Sequence, residues 1–296
     1  HIVSRRQRQM CIRDRLTGLY LHKLIRDGHY PADRSTFEVK NVVGNPEAVE
    51  RRVRFGESDL NREFSTKTLP GSSESKESEL ATKFSEQYGD AQSQLIVDLH
   101  NTTSNMGATL ILLSDEPFYN QMGSYVKHRM PSANILFEDR KPWHEQPYLC
   151  SMGKYGVMLE VGAQAHGSLT YETLELMKNL LTAVLDFIEL HNLGKANHGT
   201  EYDAYRYLED VAFPLDNDGM RIATVHPTIC GKDFEVVKSG EPILATFNGY
   251  DVHWQGSNEV YPHFINESAY CASNIAMALA ENCLLYTSPS PRDRFL

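Results

Sequence analysis

Leu95-Ile96-Val97-Asp98-Leu99-His100-Asn101-Thr102-Thr103-Ser104-Asn105-Met106-Gly107 passes from an apolar stretch into a polar one with no glycine or proline until its end. Residues 95–99 form a short apolar run of the kind that makes a buried strand. The polar residues after it stand at the carboxyl end of that strand, where open α/β sheets present ligand-binding groups. His100 is placed there as a candidate metal ligand, although a polar strand-end turn accounts for the same residues. Asp98 lies on the opposite strand face from Leu99 and would brace a site rather than bind metal.

Working outward, residues 109–113 and 157–161 read as two more buried strands, and 37–43 as a β-rich run ended by Gly44, Asn45 and Pro46. Apolar residues at Leu16, Leu19, Tyr20, Leu24 and Ile25 have helical spacing. A Ser/Glu-rich loop over 71–79 leads into a helix carrying Leu80, Phe84 and Tyr88, and 171–191 is the clearest helix of the chain. Strands separated by helices predict an α/β domain with a mixed sheet. After Gly194 the runs 211–213, 221–225, 234–237 and 243–247, parted by turn residues, predict a small β-rich C-terminal domain.

The 296 residues suffice for one large domain with an appendage or two modest ones, and 41% hydrophobic content is that of a globular protein. Every apolar run is broken before the roughly 18 residues that span a bilayer, so no membrane partner is expected. The basic N-terminal stretch is not followed by an apolar core and cleavage site, so no secretory signal is expected. Five scattered cysteines without Cys-x-x-Cys spacing argue against a disulfide framework and a zinc-thiolate knuckle, and for a reducing, cytoplasmic compartment. A net charge of −10 with no basic patch among aromatics speaks against nucleic acid as a partner.

The two ends have neither strand nor helix period. Met10-Cys11-Ile12-Arg13-Asp14-Arg15 can be encoded by ATG TGT ATA AGA GAC AG and a purine, whose reverse complement contains TGT CTC TTA TAC ACA T. Read in frame, that string gives Cys283-Leu284-Leu285-Tyr286-Thr287 and the first base of Ser288. One inverted DNA element thus accounts for both ends, and it resembles a transposon end used in sequencing libraries, translated by accident. Residues 1–15 and 283–296 are therefore expected to be adapter-derived and outside the fold. They hold seven of the 29 basic and two of the 39 acidic residues, so the body carries 22 against 37, a net charge of −15.

Two further clusters carry chemistry. Arg54 precedes Asp59-Leu60-Asn61-Arg62, and arginine recognises carboxylates with two parallel hydrogen bonds. On spacing alone this is either a solvated charged loop or an acid-binding site. Glu160 sits in the apolar run Val157-Met158-Leu159-Glu160-Val161, where a carboxylate is costly unless it is partnered or used as an acid or base.

Five pieces in order give a resemblance to a known family: Val43-Gly44-Asn45-Pro46 with Ala48-Val49, Asp59-Leu60-Asn61-Arg62, the run DLHNTTSNMG from Asp98 to Gly107, Lys154-Tyr155-Gly156 with Glu160-Val161-Gly162, and Val260-Tyr261-Pro262 with Phe264-Ile265-Asn266-Glu267. Together they resemble the aspartoacylase and succinylglutamate desuccinylase family, itself similar to zinc carboxypeptidases. The resemblance implies a zinc-carboxypeptidase-like mixed sheet with flanking helices over 16–198 and a smaller β-rich C-terminal domain over 199–282. It further implies one Zn2+ per subunit and a small-molecule N-acyl amino acid substrate, most of all N-acetyl-L-aspartate, and it is compatible with a homodimer. His100 resembles the third zinc ligand, Glu160 the general base, and Arg54 the arginine that stabilises the oxyanion. Asn61 and Arg62 resemble the pair that grips the substrate carboxylate, and Tyr270 a substrate-contacting tyrosine.

Two departures from the pattern matter. The family's first two zinc ligands belong to a Gly-x-His-Gly-x-Glu stretch ahead of the residues matching Leu16-Thr17-Gly18, and Met10 to Arg15 stand there instead. The metal loop and the strand leading to it are therefore expected to be absent, with a sheet edge exposed and negligible zinc affinity and activity in this chain. Cys150 stands where the aspartoacylase pattern has a substrate-binding arginine, which opens the alternatives of an aminoacylase or desuccinylase with another N-acyl substrate. A metal-free acid-binding protein is the alternative from outside the enzymes.

Overall fold

The structure, a computed structural model, describes residues 8–9, 16–51, 55–65, 75–89, 95–196 and 201–287. Its strands are β1 Arg8–Gln9, β2 Leu95–Asn101, β3 Gly107–Leu112, β4 Asn134–Phe137, β5 Tyr155–Gly162, β6 Tyr202–Ala212, β7 Ala223–Val225, β8 Pro242–Thr246, β9 Asp251–His253, β10 Tyr261–His263 and β11 Ile275–Leu285. The helices are α1 Leu16–Arg26, α2 Pro46–Arg51, α3 Lys76–Tyr88, α4 Pro117–Arg129 and α5 Tyr171–Asn192. An eight-stranded mixed sheet runs β1-β2-β5-β3-β4-β6-β11-β10, and a separate three-stranded sheet runs β7-β8-β9.

Alternation along the central strands divides the core into two. Leu95, Val97 and Leu99 of β2, with Val157, Leu159 and Val161 of β5, pack under α1, α4 and α5. The other face carries Ile96 and Met158, joined by Leu60, Leu149 and Cys150 from turns lying across it. His100 and Glu160 belong to that second face, so the helices bury one side of the sheet and leave the other to the chemistry.

Two glycines let chain segments approach β5 closely. A Cβ at Gly156 would lie 2.1 Å from the Cys150 carbonyl oxygen, and one at Gly162 would lie 2.3 Å from that of Ser104. Only a residue without a side chain fits at either place. The Lys154-Tyr155-Gly156 and Glu160-Val161-Gly162 pieces therefore have a packing reason as well as a chemical one.

Several expectations are corrected. Residues 37–43 make no strand: Val39 N donates to Asp33 Oδ1 at 2.6 Å and Asn41 Nδ2 to the His22 carbonyl at 2.8 Å, so local side-chain bonds replace a ladder. Helix α3 begins inside the expected 71–79 loop, where the Ser75 hydroxyl accepts from Ser78 N at 3.1 Å and caps it. Residues 234–237 are interrupted by Phe234 at φ 63°, and Val237 makes only an isolated bridge to Val260. A few described residues of the two ends set aside above pair with the sheet. Arg8–Gln9 lie parallel to β2 along the edge expected to be bare, and Cys283, Leu284 and Leu285 continue β11 opposite β6. Pairing recruits backbone groups, which every residue but proline supplies in full, so composition is a poor guide there.

No helix among the described residues is long and apolar enough to cross a membrane. The C-terminal region buries one unusual group. His263 on β10 is fully buried, stacked on Phe234 with ring centroids 5.5 Å apart, and burial pushes its imidazole down to about 4. Between its ordinary value near 6.5 and 4 the unfolded chain binds a proton that the folded chain refuses, so stability falls as pH falls, by about 3 kcal/mol over the window. Asp233, raised by burial to about 6, acts with the opposite sign over much of the same range. His263→Val is therefore expected to gain about 3 kcal/mol on the parent between pH 7 and pH 4. Urea unfolding at both pH values checks this, and an advantage independent of pH would contradict it.

Candidate active site

The register of the sheet builds the centre. β2 and β5 run parallel with His100 opposite Glu160, so both side chains leave the same face at the carboxyl ends of neighbouring strands. His100 Nε2 lies 2.6 Å from Asp98 Oδ2, and its Nδ1 lies 3.9 Å from Glu160 Oε2. An Nε2–H donating to Asp98 puts the imidazole lone pair on Nδ1, the side of Glu160. Asp98 thus braces His100, as its strand face predicted.

Asn61 comes from the 3-10 turn Leu60–Arg62, which Asp59 caps by accepting from Asn61 N at 3.1 Å. Its buried amide has two fixed neighbours: Nδ2 is 3.4 Å from His100 Nε2, and Oδ1 accepts from Leu149 N at 2.6 Å. Arg62 donates Nη1 to the Asn61 carbonyl at 2.9 Å and sets its guanidinium over the Tyr148 ring, 5.1 Å from the centroid. Tyr270 reaches the same place from the C-terminal region, its ring edge-on to Phe264 at 5.7 Å.

One cleft is lined by His100, Glu160, Asn61, Arg62 and Tyr270. Arg54 lies outside the described residues. Two further cleft residues carry no motif: Glu138, one residue past β4, and Tyr148, whose hydroxyl donates to Glu138 Oε2 at 2.9 Å. Burial raises the Glu138 carboxyl above its ordinary range against the opposing pull of the Tyr148 hydroxyl. Burial, with Glu138 close by, likewise holds the Tyr148 and Tyr270 hydroxyls protonated. The one sequence signal for Glu138 is a carboxylate directly after the apolar Ile135-Leu136-Phe137, at a strand's carboxyl end. Cys150 does not line the cleft. It is fully buried on the sheet, and burial pushes its thiol well up, so it offers the cleft neither a cation nor a nucleophile.

Glu267 ties the C-terminal region to the segment that follows His100. It is buried, and Oε2 accepts from Thr103 N and Oγ1, both at 2.9 Å, from Ser104 Oγ at 3.1 Å, and from Thr102 Oγ1. Its Oε1 accepts from Ala269 N at 2.9 Å, one residue before Tyr270. Burial alone would raise this carboxyl, but the donors around it outweigh burial and hold it below its ordinary value.

Among the described residues no group of three or more His, Cys, Asp or Glu is arranged to hold a metal ion. His100 with Asp98 behind it has the carboxylate–histidine pairing of a metal-bound imidazole. A catalytic zinc ion ordinarily takes three protein ligands, and His100 is a single donor of that kind.

Two family models match the chain: the Succinylglutamate desuccinylase/Aspartoacylase catalytic domain over residues 16–188 and the AstE/AspA barrel-sandwich hybrid domain over 200–282. An N-acyl-aromatic-L-amino acid amidohydrolase (carboxylate-forming) of Xenopus tropicalis is 37% identical over 263 residues, 85% of this chain and 84% of that protein. The aspartoacylase of Danio rerio is 35% identical over 264 residues, 86% of this chain and 84% of that protein. The crystal structure of murine aminoacylase 3 matches with a TM-score of 0.85 at 31% identity, covering 97% of both chains.

Proposed function

Because the chain belongs to the succinylglutamate desuccinylase/aspartoacylase family, we propose that it hydrolyses the amide bond of an N-acyl amino acid, releasing the amino acid and a carboxylate. The observation that carries the proposal is the convergence of His100, Glu160, Asn61, Arg62 and Tyr270 on one cleft. Arg62 and Asn61 hold the substrate carboxylate, with Tyr270 closing the site from the C-terminal side. Glu160 Oε2 takes a proton from the attacking water and delivers it to the departing amide nitrogen. Arg54 is assigned to the oxyanion on the family resemblance. Zinc belongs to the proposal with His100 as one ligand; the family's other two, a His and a Glu, would stand where this chain has Met10 to Arg15. A cytoplasmic setting is proposed with it, consistent with Cys150, Cys230, Cys271 and Cys283 all being free thiols.

N-acetyl-L-aspartate remains the first substrate, its second carboxylate meeting Arg140 and Lys141 in the basin outside the cleft. The N-acyl aromatic amino acids are the second reading, favoured by one observation: Cys150, at the position of the expected arginine, adds no cation to the cleft, whose wall includes Ile111, Met158 and Phe264. The test is kcat/KM for N-acetyl-L-aspartate against N-acetyl-L-tyrosine, in a chain with a full ligand set. The first reading expects a preference of at least about tenfold for the acidic substrate; equal or better turnover of the aromatic one would overturn it.

A further inference from the structure

Three successive backbone amides converge on one buried carboxylate just ahead of the Asp59-Leu60-Asn61-Arg62 turn. Glu77, in the first turn of α3, is 3% exposed. Its Oε1 accepts from Gly56 N at 2.6 Å, and its Oε2 from Glu57 N at 3.2 Å and Ser58 N at 3.4 Å. Consecutive amides arranged in this way form a nest that binds anions; here the anion is supplied by the chain itself. Burial alone would raise the carboxyl, but the amides outweigh it and hold it below its ordinary value, so it is charged at neutral pH.

Asn45 stands behind this contact. It is 4% exposed, donates Nδ2 to Glu77 Oε1 at 3.2 Å, and accepts from Ala48 N at 3.0 Å, which caps α2. The Val43-Gly44-Asn45-Pro46 piece, singled out in the sequence and unused by the chemistry above, thus ends on the same carboxylate. From the other side Lys76 N donates to Glu57 Oε2 at 3.0 Å, and the Ser58 and Ser75 hydroxyls lie 2.9 Å apart. The backbone of 56–58 is held at three places against the start of α3. Asp59 follows at once and fixes Asn61, while Arg54 lies two residues upstream of Gly56.

We propose that Glu77, backed by Asn45, is a positioning residue that fixes the 56–62 turn so that Asn61 and Arg62 meet the substrate carboxylate. It touches neither substrate nor reacting atoms and acts through the backbone of the turn. The ligand named here rests on the proposed N-acyl amino acid reading; the geometry of the turn does not.

The test compares the 296-residue parent with Glu77→Gln, Asn45→Ala and, as a control, Glu79→Gln, whose side chain is 71% exposed on the same helix. Glutamine keeps the shape of Glu77 but trades an acceptor oxygen for a donor that faces N–H groups. Two quantities are measured: amide hydrogen exchange over 56–62 and over β2 and β5, and the Kd for N-acetyl-L-aspartate by calorimetry. Glu77→Gln is expected to speed exchange over 56–62 at least about tenfold with β2 and β5 unchanged, and to weaken binding about tenfold. Asn45→Ala should show the same pattern more weakly, and it carries the comparison if Glu77→Gln does not fold. Unchanged exchange at residues 60–62, or a rise spread equally over β2 and β5, would mean a merely structural role and overturn the proposal. Parent and Glu77→Gln binding equally well would overturn it with the functional reading intact. Failure of a chain with a full ligand set to bind any N-acyl amino acid would sink the functional reading, and the exchange result would still decide for Glu77.

Discussion

A chain with Gly-x-His-Gly-x-Glu set in register ahead of Leu16 is expected to keep one zinc ion through dialysis against a weak chelator. The 296-residue chain is expected to keep less than about a tenth of that. The reason is ligand number. His100, oriented by Asp98 at 2.6 Å, is one well-braced donor, and one imidazole cannot fix a tetrahedral ion that ordinarily has three protein ligands. Amide hydrolysis should rise with zinc content by at least about 10³-fold, because water activation in this chemistry depends on the metal. Metal analysis together with acetate release checks both halves. Stoichiometric zinc surviving in the 296-residue chain would show that other residues complete the site. A ligand-complete chain that binds zinc and N-acyl amino acids but releases no acetate would favour the acid-binding alternative.

Glu160→Gln, made in that ligand-complete chain, should lower kcat by about 10²- to 10⁴-fold while KM moves only a few-fold. Glutamine fills the same space in β5 and keeps the register with His100, so the cleft and its carboxylate grip survive. What is lost is a group that can take a proton from water and return it to the leaving nitrogen. A fall in kcat with a matching rise in KM would instead mark Glu160 as a binding residue. A loss of thermal stability that accounts for the lost rate would mark it as structural.

The fold was legible where a local pattern and a tertiary demand agree. Residues 95–99, 109–113 and 157–161 are buried on both faces and apolar but for Asp98, Thr109 and Glu160, and α5 has an uninterrupted helical period opened by the Thr170 cap. Residues 37–43 have β composition but make no more than isolated bridges among the described residues, and composition cannot supply a ladder. β11 hides for the opposite reason. Ile-Ala-Met-Ala-Leu-Ala-Glu reads as helix by propensity, and pairing with the length of β6 overrides it. Of the candidate site, His100, Glu160, Asn61, Arg62 and Tyr270 were legible as residues that would meet in one cleft, each inside or beside a recognisable piece. Glu138 and Tyr148 were not, since they stand alone in sequence and meet only when the end of β4 and the turn before Leu149 fold onto one cleft.

The two regions matched by separate family models share one sheet. β4 meets β6 through Leu136 opposite Tyr205 and Phe137 opposite Arg206, and Arg206 is pinned by Asp139 at 3.0 Å. A cut in the backbone between residues 196 and 201 would therefore not release a free-standing half. Each fragment produced alone would present a bare strand, β4 on one and β6 on the other, ready to pair with whatever backbone it met first.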